Sequence, residues 1–301
     1  MSKNRGAKGA SGAKGALGAR GASEARGASG AKSASSARRV LAIAAHPDDI
    51  EFMMAGTLLL LRDTGWDIHY MNMSSGNLGS FTSSPTETAR IRSAEAQASA
   101  ILMQAVWHAP ICHDLQVFYD DPALRRLVAV IRNVDPSIVL THSPQDYMED
   151  HMTTARLAVT ATFARGVPGY RSTPPCDPVQ TPVTIYHASP HGLRDGLRRR
   201  VVPEAFVNTT DVQERKRKAL GCHRSQRDWL DKTQGMDSYI TTMDQFARAL
   251  GKMSRKFRYA EGWRRHLHYG FADEHADPLR DALGRRYLVN ARYRRALDAG
   301  L

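Results

Sequence analysis

Residues 42–54 read AIAAHPDDIEFMM: an apolar run empties into a histidine, a proline and two adjacent aspartates. The segment RVLAIAA (39–45) has the length and composition of a buried strand. It is followed by IEFMMAGTLLLLRDTG (50–65), with apolar residues at helical spacing and Gly65 as a stop. Between them, His46, Asp48, Asp49 and Glu51 are costly to place beside a core unless something neutralises them. A strand that delivers this set and then turns into a helix predicts an α/β protein with a metal ion, and a reaction, at its strand ends.

The alternation continues outward. DIHYMNMSS (67–75) reads as a second strand running into the loop GNLGSFTSSP, and ETARIRSAEAQASAILM (87–103) as an Ala-rich amphipathic helix. A short strand is expected near 105–108, a helix over 122–135, a strand over SIVLTHS (137–143), then a loop and a helix from His151 to about Arg165. Prolines 168, 174, 175, 178 and 182 mark 166–182 as a long loop. PVTIYHA (182–188) and AFVNTT (205–210) read as late strands, and DVQERKRKALGCHRSQ (211–226) as one charged helix with Asp211 at its start. The remainder reads as helical and irregular. The pattern predicts a Rossmann-like, mainly parallel sheet with helices on both faces, in one domain over 39–301. Ligands of such sheets gather at the carboxyl ends of strands, so His46 and His151 can meet although far apart in the chain.

Charge is unevenly spread. Of 42 Lys/Arg and 30 Asp/Glu, residues 1–39 hold nine Lys/Arg and one Glu, so the net charge of +12 belongs mostly to the tail. From Gly6 the tail runs in Gly-Ala-X triplets, but it lacks proline and one triplet begins with Glu24, which leaves a triple helix marginal. Residues 1–38 are expected to be a disordered, basic Gly/Ala/Ser-rich extension, the only part suited to weak nucleic-acid contact. The tail has no apolar signal-peptide core, and LLLL (58–61) is far too short for a membrane span. Cys112, Cys176 and Cys222 form no CxxC pair, which argues against a disulfide framework. A soluble cytoplasmic protein follows as the expectation, with an oligomer allowed.

A catalytic zinc usually takes three protein ligands and leaves a position for water. HPDD offers His46 and one or other aspartate; adjacent residues point apart, so one can ligate while its neighbour acts as base. The third ligand is expected from THSPQDYMEDHMTT, which supplies Asp146, Asp150 and His151. Taken alone, HPDD fits a turn or a helix cap equally well. Paired with a later strand-end DH it is far more specific.

These motifs make the sequence resemble the PIG-L/LmbE family of zinc-dependent deacetylases acting on N-acetylglucosamine compounds, over about residues 39–230. The family's AHPDD stands as Ala45–Asp49, and its Gly-containing loop resembles Ser75-Gly76-Asn77-Leu78-Gly79. Its Arg-x-x-Glu matches Arg92 to Glu95, and its His-x-Ser-Gln matches His223 to Gln226. The resemblance implies an LmbE-like fold, zinc (or another divalent metal) on His46, Asp49 and His151, and Asp48 as general base. Asp146 and Asp150 would stand behind the ligands, and Arg92 and Asn77 would contact substrate. One position departs: the family's His-Pro-Asp-His reads Met148-Glu149-Asp150-His151, and methionine cannot donate a hydrogen bond. His191, in the loop SPHG after a late strand, is the candidate substitute donor. His142 and His187 are expected to be structural, HLH (266–268) to lie on a strand face, and LRRRV and ERKRK (214–218) to be solvated.

The implied reaction is hydrolysis of an N-acyl group, acetyl by default, from an amino sugar or related conjugate. The alternative is a noncatalytic sugar-binding protein that retains a metal site.

Overall fold

The computed structural model describes residues 38–227 and 239–299. The expected disordered tail falls at residues 1–37, outside the described residues, apart from its last position. The elements are β1 (Arg39–Ala44), α1 (Asp49–Met53), α2 (Ala55–Asp63), β2 (Asp67–Asn72), α3 (Pro85–Met103), β3 (Val106–His108), α4 (Asp121–Val134), β4 (Ile138–Thr141) and α5 (Glu149–Ala164). There follow β5 (Thr184–Ala188), β6 (Ala205–Asn208), α6 (Gln213–Leu220), α7 (Tyr239–Ser254), β7 (Ala260–Arg265), α8 (Pro278–Leu283), β8 (Tyr287–Val289) and α9 (Ala291–Asp298). No helix among the described residues is long and apolar enough to cross a membrane.

The strands form one eight-stranded sheet in the order β3-β2-β1-β4-β5-β7-β6-β8. Pairings from β3 through β5 are parallel; β7, β6 and β8 add to that edge antiparallel. Chain order reverses between β1 and β4, the switch point at which ligands bind in sheets of this kind.

Alternation along β1 builds a core on each face. Val40, Ala42 and Ala44 pack with α2, α3, α6 and α7 through residues such as Leu58, Ala100, Leu220 and Met243. Leu41 and Ile43 point the other way, into Leu127 and Ile131 of α4 and Leu157 and Ala161 of α5. Both faces of β1 are apolar because both are covered.

Several elements differ from expectation. The helix expected over 50–65 is broken at Met54, because the first amides of α2 turn onto a distant carboxylate: Gly56 N and Thr57 N donate to Glu261 at 2.8 and 2.7 Å. The single helix over 211–226 is instead a 3₁₀ turn (Thr210–Val212), α6 and, after a break at His223, helical chain over 224–227, where this described segment ends, so Asp211 caps no long helix. α5 begins at Glu149, ahead of the start expected at His151, and so places Asp150 and His151 together in its first turn. The C-terminal part contributes β7 and β8 to the sheet, where only helix and irregular chain were expected. β7 ends at Arg265, so His266 and His268 share no strand face.

Candidate metal centre and active site

Three neighbouring strands deliver the polar residues to one edge. β1 turns at His46–Asp49; β4 beside it leads into His142, Asp146 and α5, which carries Asp150 and His151; β5 leads into His191. The His46–Asp49 turn is clamped: Asp49 Oδ2 accepts from the His46 amide (2.7 Å), Asn72 Nδ2 donates to the His46 carbonyl (2.6 Å), and Arg92 Nη2 donates to the Pro47 carbonyl (2.6 Å). Asp48 is held at φ 114°, a region costly for any residue but glycine. Its carboxylate faces Tyr239 and Arg92, while that of Asp49 faces the histidines.

Asp49 Oδ2 lies 3.3 Å from His46 Nδ1 and 3.5 Å from His151 Nε2, and one potential ligand atom from each of the three residues lies within 4.8 Å of the others. Each imidazole has a carboxylate behind its other nitrogen: His46 Nε2 is 3.2 Å from Asp150 Oδ2, and His151 Nδ1 is 3.1 Å from Asp146 Oδ1. Those carboxylates are themselves fixed, Asp150 by the Leu115 amide (2.8 Å) and Asp146 by the amides of Tyr147 (2.7 Å) and Met148 (3.2 Å). Backing of this kind sets the tautomer and turns the remaining nitrogen toward a shared point, as metal sites do.

His142, Asp146 and His151 also cluster. There, however, the lone pair of His142 Nε2 is taken by the Ala45 amide (2.9 Å); Asp146 meets His151 and two amides through Oδ1 alone, and its buried Oδ2 has no partner among the described residues. His142 instead stacks on His151, centroids 4.2 Å apart at 8°, and holds its plane.

Electrostatics favour a cation at the first set. Burial opposes a charged His46, yet hydrogen bonds to Asp150 and Asp49 and the Asp49 charge outweigh it and raise this imidazole to about 10. Burial likewise opposes charge on His151, but Asp49 and Asp146 raise it. Excess carboxylate thus draws protons to nitrogens that would otherwise ligate. Two imidazoles and a carboxylate make a donor set that fits a divalent metal.

Beside it, Asp48 Oδ2 accepts from Tyr239 OH at 2.6 Å and lies 3.5 Å from Arg92 Nη2. Burial raises the Asp48 carboxyl, against the lowering effect of Arg92. A raised carboxyl is a stronger base. The cavity in front measures about 560 Å³, within the usual range for small-molecule sites, and both Asp48 and Asp49 line it.

The remaining candidates fall in varied places. Arg92 borders the cavity but is buried, and its guanidinium also donates to the Gly76 carbonyl (3.2 Å), so it underpins the turn. A Cβ on Gly76 would sit 2.7 Å from the Arg92 side chain, which explains the glycine. Asn77 Oδ1 accepts from the Asp114 amide (2.9 Å) and ties two loops together without lining the cavity. His191 stands on the cavity wall among the rings of Phe246, Phe52 and Tyr147, at centroid distances of 4.8, 5.3 and 5.8 Å. Met148 lines the cavity as well.

Glu95 of the Arg-x-x-Glu motif accepts from Ser225 N and Oγ (2.8 and 2.6 Å), and Gln226 Nε2 donates to the Gly79 carbonyl (3.0 Å). His223 faces Glu51 at 3.1 Å, both fully buried. His187 and His266 pair with each other at 3.0 Å, and His268 packs on Tyr269. Tyr239, Tyr147 and Leu115 escaped the sequence reading. Tyr147 lies inside the quoted stretch THSPQDYMEDHMTT but is not singled out there; Leu115 and Tyr239 sit in no motif, and Tyr239 reaches Asp48 across 191 positions.

The family model for GlcNAc-PI de-N-acetylase (PIG-L) matches residues 41–162. A diacetylchitobiose deacetylase of Thermococcus kodakarensis is 31% identical over 234 residues, 75% of this chain and 82% of the relative. A 4-oxalmesaconate hydratase of Pseudomonas putida is 27% identical over 197 residues, 63% of this chain and 74% of the relative. Among solved structures, N,N'-diacetylchitobiose deacetylase from Pyrococcus horikoshii superposes with a TM-score of 0.62 at 27% identity, covering 76% of this chain and 84% of that one. The strand-end histidines and aspartates, the α/β sheet that presents them and the breadth of these matches agree: the chain belongs to the PIG-L family.

Proposed function

We propose that the protein is a metal-dependent N-deacetylase, with zinc as its ion and an N-acetylated amino sugar or sugar conjugate as its substrate. The observation that carries this is the division of the HPDD turn: Asp49 joins the two carboxylate-backed histidines while Asp48 stays outside the ligand set. Sugar deacetylases among the relatives support the substrate class. His46 Nδ1, Asp49 and His151 Nε2 would hold the ion. When bound, it would polarise the scissile carbonyl and make water acidic enough to attack near neutrality.

The chain's own residues do the rest. Asp48 accepts the proton of the attacking water and returns it to the departing amine. Tyr239 fixes Asp48 Oδ2 and leaves Oδ1 for that proton. Arg92 keeps the turn in its strained shape. Met148 donates nothing to the developing oxyanion, so that task falls to a neighbouring donor on the wall. His191 is our assignment; burial lowers its pKa, and a neutral imidazole still carries one N–H.

The test is joint release of acetate and free amine from a panel of N-acetylated sugars by metal-loaded protein, abolished by chelation. His191→Ala should lower turnover with the metal retained; unchanged turnover would remove His191 from this role. A hydratase reading has the Pseudomonas putida relative and the absent motif histidine in its favour. Hydration of an unsaturated tricarboxylic acid, with no acetate released from any sugar, would establish it instead.

A further inference from the structure

Leu115 stands at the cavity mouth in an unfavourable state. Its backbone lies at φ 60°, left-handed space that disfavours a branched side chain and suits glycine or asparagine. The conformation has a use, because it aims the Leu115 amide at Asp150 Oδ2 (2.8 Å), the oxygen behind His46. That need concerns the backbone alone. The side chain is 63% exposed, so core packing does not account for a leucine there.

Its neighbours repeat the pattern. Leu78 (46% exposed) and Tyr147 (58% exposed) line the same cavity. Both leucines sit on braced loops: the Leu78 amide donates to Asp114 Oδ2 (3.0 Å), and the Asp114 amide donates to Asn77 Oδ1 (2.9 Å). Single exposed apolar residues are ordinary, but three held around one opening make an apolar collar. Phe52, which is buried, and Met148, which is half-buried, add to the apolar lining of the cavity.

We propose that this collar is a subsite for an apolar substituent on the amine half of the substrate, an N-acetylated sugar carrying a hydrophobic aglycone. The proposal rests on the deacetylase reading above. There the acetyl group lies at the ligand cluster, so what emerges past Leu78, Leu115 and Tyr147 is the remainder of the sugar conjugate. Free N-acetylglucosamine would leave the collar wet; an aryl or alkyl glycoside would cover it.

Binding and turnover separate the two ideas. Zinc-loaded Asp48→Asn protein, titrated calorimetrically, should bind 4-nitrophenyl N-acetyl-β-glucosaminide about tenfold or more tightly than N-acetylglucosamine, the scale of a modest apolar contact. Wild-type kcat/KM should show the same preference. Leu115→Asn suits the backbone, so it should hold or raise Tm while cutting the preference about threefold or more. Leu78→Ser, free of any φ constraint, should also cut it and serves if the first variant misfolds. Equal affinity for aryl and free sugars, or a preference untouched by both substitutions, would overturn the subsite. Tighter binding of N-octanoylglucosamine than of the aryl glycoside would overturn its assignment to the amine half. Tight aryl binding with no acetate released would leave the subsite standing and remove the deacetylase reading.

Discussion

Glu261 and Asp49 are both carboxylates sunk into the molecule, and their surroundings are opposite. Glu261 accepts from Gly56 N, Thr57 N, Thr57 Oγ1 and Lys216 Nζ at 2.6–2.8 Å, and its side chain and that of Lys216 are each 1% exposed. Every lone pair has a donor and the charge has its counter-charge. Asp49 instead faces imidazole nitrogens that are acceptors in their neutral form, with further carboxylates behind them. One cluster is closed by the chain; in the other, Asp49 has the His46 amide as a donor (2.7 Å), and its imidazole neighbours make a set that could hold a metal ion. Burial of charge therefore identifies nothing until its partners are counted. The same accounting places Glu51, met by Tyr70, Ser99 and His223, on the closed side.

The contrast can be broken most sharply at Asp49. Asp49→Asn should lose bound metal and fall to background turnover, and it should also lose the thermal stabilisation that zinc gives the wild type. That stabilisation is about 4 kcal/mol at a thousandfold excess over Kd. Metal analysis and melting curves with and without zinc read both effects; full occupancy in the variant would remove Asp49 from the ligand set.

Asp48 lies one residue away and on the other side of the division. Asp48→Asn should keep its metal and lose roughly 10²–10⁴-fold in turnover. A loss of metal instead would show that the two aspartates share the ligand role.

For the closed cluster the expectation reverses. Lys216→Met leaves Glu261 buried without its cation and should cost about 3–5 kcal/mol in unfolding free energy. Activity per folded molecule should be untouched. Adding Glu261→Gln should recover only part of that loss: an amide needs no counter-charge, but its NH2 must face the Gly56 or the Thr57 amide, each of which is a donor. A Lys216→Met protein of normal stability but low turnover would collapse the distinction between the two regions.

The smallest effect is expected where the regions meet function through one bond. Tyr239→Phe should keep metal and fold but reduce kcat about tenfold, the worth of one hydrogen bond to a charged group. Losing a donor to the carboxylate should also move the acidic limb of the kcat/KM profile to higher pH. In an Asp48→Asn background the same change should do little, because Tyr239 acts through Asp48. Equal effects in both backgrounds would make Tyr239 a packing residue only.

Local pattern sufficed for much of this protein. An apolar strand ending in HPDD, followed by strands and helices in alternation, determined the parallel half of the sheet and the edge at which ligands collect. Residue chemistry narrowed the metal set to His46, one aspartate and a member of the Asp146–His151 loop, and the family resemblance chose among them. What tertiary structure alone decided involves pairs distant in the chain, where no period carries the information. AEGWRR (260–265) does not read as a strand because three of its six residues are charged with nothing nearby to satisfy them; their partners are Lys216 for Glu261, the Val202 carbonyl for Arg264 and the Ala276 carbonyl for Arg265. Lys216, in the middle of ERKRK, was expected in water for the same reason. Tyr239 reached Asp48, and His142 braced His151, only once the sheet had brought their strands and helices together. A sequence displays which groups need a partner; the fold decides which partner within the chain meets each need, and it gathers His46, Asp49 and His151 where a metal ion could serve as theirs.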